Sequence, residues 1–182
     1  MLSLLVMQRK SLKSKAIITV FGVVMCVVLP QLFHILGAVL NLGGSLGALL
    51  LPMYLPVLFV GLFSGTCAGM ICGALSPAIS FALTGMPSAA MLPFMTIELA
   101  AFGFAAGFMS ERRLPCILKV LSAQLFGRTI RVISVIFAVY VFGFQTDGIM
   151  QTLQLFVQGL PGIVLQLCLL PLIMHRLESL NG

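Results

Sequence analysis

Two arginines three residues apart, Arg128 and Arg131, sit within the apolar stretch SAQLFGRTIRVISVIFAVYVFGF. With Gln124 they follow i, i+4, i+7, so all three share one face of a helix. A guanidinium forks onto a carboxylate through two parallel hydrogen bonds, so this face can hold an anionic group. Glu98 is the only acid inside an apolar stretch. Charges within a span are expensive and face a bundle interior or a wet cavity, which makes Glu98, Arg128 and Arg131 candidate functional residues. Gln151, Gln154 and Gln158 follow i, i+3, i+7 and form a second polar stripe that should also turn inward.

The elements that carry these residues are membrane helices. The chain has 182 residues, of which 60% are hydrophobic and only 8% charged. A soluble domain carries about 25% charged residues, so this chain cannot cover a soluble surface. At about 20 residues per span it holds roughly six spans and little else. We read an all-α fold, a single transmembrane domain over residues 1–182, with helices at about 15–34, 48–63, 65–84, 90–109, 117–144 and 149–174. Gly43-Gly44, Pro52, Pro56 and the GMPS turn punctuate it. The turn between the second and third helices, FSGT, is so short that the two could merge.

Charge placement gives the orientation. Eight of the ten basic residues, Arg9, Lys10, Lys13, Lys15, Arg112, Arg113, Lys119 and Arg176, lie at or near the ends of apolar stretches. Alternating from a cytoplasmic N-terminus leaves loops 36–47, 85–89 and 145–148 outside, with Asp147 as their one charge. Positive residues favour the cytoplasmic side, so both termini are expected there, in a prokaryotic plasma membrane. The net charge of +6 therefore reports orientation and contact with the bilayer surface, not nucleic-acid binding. The basic cluster follows the first apolar residues instead of preceding them, unlike a signal peptide.

Depth can be estimated from helix rise. Glu98 lies eleven residues from the inner end of its helix and Arg128 eleven from the inner end of the next, about 16 Å in each case. The two are expected to meet near mid-membrane. They would form either a structural ion pair or a site in which Glu98 orients one arginine while the other holds an anionic ligand. Gly61, Gly65, Gly69 and Gly73 recur every four residues, and Gly103 and Gly107 repeat the spacing on the fourth helix. Such faces let backbones approach closely, within the chain or against another subunit.

Other chemistries are excluded. The five cysteines form no CxxC and read as small buried hydrophobes. His34 and His175 fall on opposite sides and have no acid or thiol at ligand spacing, so no metal and no cofactor is expected. GLFSG around Ser64 has no histidine placed to serve it, so proteolysis is rejected. There is no Walker A motif. The chain is expected not to be an enzyme, and any ATP hydrolysis belongs to partner subunits.

From Leu51 to Arg128 the chain carries L-P-M-x-x-P-V-L, then G-x-x-x-G, L-S-P with T-G-M-P, E-L-x-x-[FY]-G-x-x-x-G, and Gly127-Arg128. In this arrangement it resembles the substrate-binding (S) components of energy-coupling factor vitamin transporters. The resemblance implies a six-helix bundle that binds one small water-soluble vitamin from outside and joins a membrane coupling subunit and two ATPase subunits. The ligand positions it implies are His34, Asn41, Met53, Tyr54, Glu98, Arg128 and Gln158, with Arg131 added from the polar stripe. It also implies a docking face on the first helix. The family's A-x-x-x-A pattern is replaced here by Ala16 with Val20, and the nearest small pair is Gly22 with Cys26. Arginines at mid-depth and the absence of tryptophan favour a small anion, and the L-P-M-x-x-P-V-L and L-T-G-M-P pattern most resembles components of the niacin or pyrimidine/pyridoxine type, which implies niacin before hydroxymethylpyrimidine, pyridoxine or pantothenate. The rival reading is a stand-alone proton-coupled carrier or channel that uses Glu98.

Overall fold

Glycine and proline set the element boundaries. The computed structural model describes residues 12–39, 52–142, 154 and 157–181. They contain six helices: α1 (Leu12–Val39), α2 (Tyr54–Ser64), α3 (Thr66–Thr84), α4 (Leu92–Ser110), α5 (Cys116–Phe142) and α6 (Leu160–Asn181). Gly65 alone separates α2 from α3, with φ 95°, a left-handed conformation that glycine adopts without a Cβ penalty. Gly85 ends α3 at φ 71°, its N–H bonded to the Phe81 carbonyl at 2.9 Å. Pro52 precedes α2, and Pro56 sits in its first turn, where the missing N–H costs no helical bond. The expected helix at 48–63 is therefore shorter, and the part of it over 48–51 lies outside the described residues. α1 runs past the expected stop at His34 to Val39, with Pro30 inside it.

Five of the helices, all but α2, are long and apolar enough to cross a membrane. Their outward faces carry exposed Ile17, Phe21, Val24, Ile71, Phe137 and Leu172. A solvated surface would not tolerate that much continuous apolar area, so this is a multi-pass membrane protein. α2, eleven residues long, rises only about 16 Å. It is the buried centre of the bundle: Val57, Leu58 and Val60 are fully enclosed, and α1, α3 and α4 pack around it. α5 packs on α4, and α6 packs on α5.

The glycine faces meet inside the chain. A Cβ on Gly69 would strike the Gly103 carbonyl oxygen, and one on Gly103 would strike the Gly69 carbonyl oxygen. A Cβ on Gly73 would strike the Leu99 carbonyl oxygen. α3 and α4 thus touch backbone to backbone, so the glycine stripe packs within the chain. Lys15, Gly65, Thr66 and Glu111 line one end of a single groove. The start of α1, the α2–α3 junction and the α4–α5 turn therefore share one side of the bundle. On that side Lys119 Nζ donates to the Ser110 carbonyl at 3.0 Å, a cation on the C-terminal end of α4.

Candidate functional site

At mid-bundle a polar cluster interrupts the apolar core. Glu98 on α4 is fully buried. Its Oε2 accepts a hydrogen bond from the Tyr54 hydroxyl at 2.8 Å and forms an ion pair with Arg131 Nη1 at 2.5 Å. Among the described residues, Glu98 Oε1 and Arg131 Nε are buried without hydrogen-bond partners. Further toward the start of α5, Gln124 Nε2 donates to Gln166 Oε1 on α6 at 2.8 Å. Tyr54 stacks edge-on to Phe102 at 5.0 Å between centroids, which fixes the phenol against α4. Gly127 makes room for that Phe102 ring, since a Cβ there would overlap it.

Each residue is positioned by its helix. Gln124 and Arg131, seven apart, differ by only about 20° around α5 and both point inward. Arg128 is rotated from that line and is half-buried. Tyr54 opens α2, and α2 begins at mid-depth because it is short. A buried helix start of this kind presents unsatisfied N–H groups and the positive end of the dipole inside the membrane. Discontinuous helices in transporters use that feature to meet anionic substrate groups. Among the described residues no side chain caps the start of α2.

The expected partnership of Glu98 with Arg128 is corrected: Glu98 pairs with Arg131. Counting rise places the Cα atoms of Glu98 and Arg128 at a similar depth, about 18 Å from the turn, and Arg131 at about 22 Å. Side chains on a helix lean toward its own N-terminus. α4 and α5 run antiparallel, so Glu98 leans away from the turn that joins them and Arg131 leans back toward it, and the two side chains meet.

The other expected site residues divide. Met53 and Tyr54 are buried at the start of α2, and the Met53 carbonyl accepts from Cys26 Sγ at 3.4 Å. His34 is half-buried near the far end of α1. Asn41 lies outside the described residues, as does Gln151. The inward glutamine stripe is corrected: Gln154 and Gln158 are exposed. α6 runs past the expected stop at Met174 to Asn181, the expected stretch over 149–153 lies outside the described residues, and the inward glutamine is Gln166, which the sequence reading missed. A single glutamine in LQLCLLPL was the available signal. Of the expected docking residues, Ala16 and Val20 are exposed. Gly22 and Cys26 are buried, with Gly22 against Val60 and Cys72 of the same chain. Those two therefore cannot form an outward face.

Compared with known proteins, the chain matches no family model, no curated protein and no solved structure. The chemistry of the site must therefore be read from its own residues. An ion pair satisfied through one carboxylate oxygen leaves the other oxygen able to accept a hydrogen bond. Together with the start of α2 and the Arg128 guanidinium, it offers a small molecule both acceptors and donors.

Proposed function

We propose that this chain is the substrate-binding membrane subunit of an energy-coupling factor type importer for a small water-soluble vitamin or vitamin precursor. It crosses the membrane six times with both ends cytoplasmic. The observation that carries the reading is the Oε1 of the fully buried Glu98, unpartnered among the described residues, beside the mid-membrane start of α2. A bundle built only for stability would satisfy or omit such a group. The sequence arrangement from Leu51 to Arg128 supports the family assignment. A donor on the ligand meets Glu98, and its anionic group, a carboxylate in niacin, meets Arg128 and the α2 dipole. Arg131 and Tyr54 hold the Glu98 carboxylate in place. ATP hydrolysis belongs to two ATPase subunits joined through a coupling subunit.

Affinity purification of the tagged chain from its native membrane tests this. The proposal expects a coupling subunit and two ATPases in fixed ratio, and ATP-dependent uptake once they are reconstituted. Proton-driven uptake by vesicles that contain this chain alone would replace the proposal with a secondary carrier centred on Glu98.

A further inference from the structure

A groove of ≈ 1080 Å³ runs along the outside of the bundle between α1 and α3. Its walls are apolar for most of their length, from Val20 to Val28 on α1 and from Ile71 to Leu83 on α3. Its polar side chains gather at one end: Lys15, Thr19, Ser64, Thr66 and Glu111. From Leu12 to Val28 the groove rises about 24 Å, most of a hydrocarbon core of about 30 Å. The polar end therefore lies at one membrane surface, and the walls lie along the acyl region.

Neither Lys15 nor Glu111 forms an ion pair among the described residues. The first turn of α3 opens here with no side-chain cap, and a helix start leaves N–H groups without intrahelical partners. The space beside Gly65 is open. The Ser64 hydroxyl, in a residue only 3% exposed, is buried without a hydrogen-bond partner among the described residues. One end thus offers an ammonium, free amides and a hydroxyl, with a carboxylate beside them. Transfer of a tail from lipid to an apolar groove gains little, so any preference must come from the head.

We propose that this groove holds one amine-bearing phospholipid of the surrounding bilayer. The phosphate sits at Lys15 and the first turn of α3, and the headgroup ammonium sits at Glu111. A zwitterionic phosphoethanolamine head matches both charges, and an anionic phosphoglycerol head matches only one. The inference rests on the membrane-embedded fold; it seats lipid over Ala16 and Val20, the face the family resemblance gives to a coupling subunit, so it holds for the chain apart from that subunit.

The test reconstitutes the full chain in nanodiscs of equal parts phosphatidylethanolamine and phosphatidylglycerol. The protein is then extracted with mild detergent, and the retained lipid is measured by native mass spectrometry. The expected result is one retained phosphatidylethanolamine per chain. Lys15→Gln removes a charged contact and should lower retention about tenfold. Glu111→Gln should abolish the preference for phosphatidylethanolamine while leaving some lipid bound. Val24→Trp, on the lipid-facing wall and away from the core, should displace the tail in protein that still elutes as a folded species. No retained lipid, a preference for phosphatidylglycerol, retention unaffected by Val24→Trp, or a second protein chain seated on this face would each overturn the proposal.

Discussion

Removing one charge of the Glu98–Arg131 pair should cost more than removing both. Glu98 is fully buried and Arg131 is 8% exposed, so neither charge can be screened by water if the other is lost. Glu98→Leu leaves a guanidinium unpaired in the core, a loss of about 3–5 kcal/mol, and Arg131→Leu leaves the carboxylate in the same state. The Glu98→Leu/Arg131→Leu double variant removes both charges. Among the described residues it orphans the Tyr54 hydroxyl, a cost of about 1–3 kcal/mol. Coupling of at least about 2 kcal/mol should therefore appear in the cycle, at the lower end of pairs in water because membrane-unfolded chains find other partners. The chain has no tryptophan, so the probe is the buried Cys26 thiol, whose labelling reports opening of the core during titration with denaturing detergent. Additive losses, with the double variant as unstable as the two singles summed, would refute the pairing as an energetic unit.

Three further outcomes are expected. Gly103→Leu should prevent folding or assembly, because any Cβ there meets the Gly69 backbone; normal thermal stability of the purified variant would show that α3 and α4 do not touch. In a cysteine-free background, single cysteines at Ser88 and Arg112 should label with an impermeant thiol reagent from opposite sides, Ser88 from outside. Labelling of both from one side contradicts the helix order. Arg128→Gln should weaken ligand binding roughly 30-fold or more, a loss of about 2–5 kcal/mol, with little change in unfolding, while wild-type affinity measured calorimetrically would place Arg128 outside the site.

Much of the fold was legible in the chain because hydropathy and glycine spacing act locally. The turns at Gly65 and Gly85 follow from residue types, and the glycine repeats met each other as close-packing faces do. The polar partners were less legible. Glu98 was matched to Arg128 by Cα depth, and the opposite lean of side chains on antiparallel helices shifts the match by one turn to Arg131. Gln124 pairs with Gln166 and not with the stripe at Gln154 and Gln158, because which face of α6 turns inward depends on packing against α5. Tyr54 was named through family resemblance. Its bond to Glu98 follows from α2 being short enough to start at mid-depth, which the two prolines foreshadow without fixing.

The central claim is that the Glu98 cluster binds a small water-soluble molecule. Mass spectrometry of compounds released by denaturing the gently purified protein tests it most directly. The result predicted is one polar vitamin-sized compound near one per chain, retained by wild type and lost from folded Glu98→Gln protein. Equal retention by the folded Glu98→Gln variant, or no compound from wild type after growth on vitamin-rich medium, would contradict it.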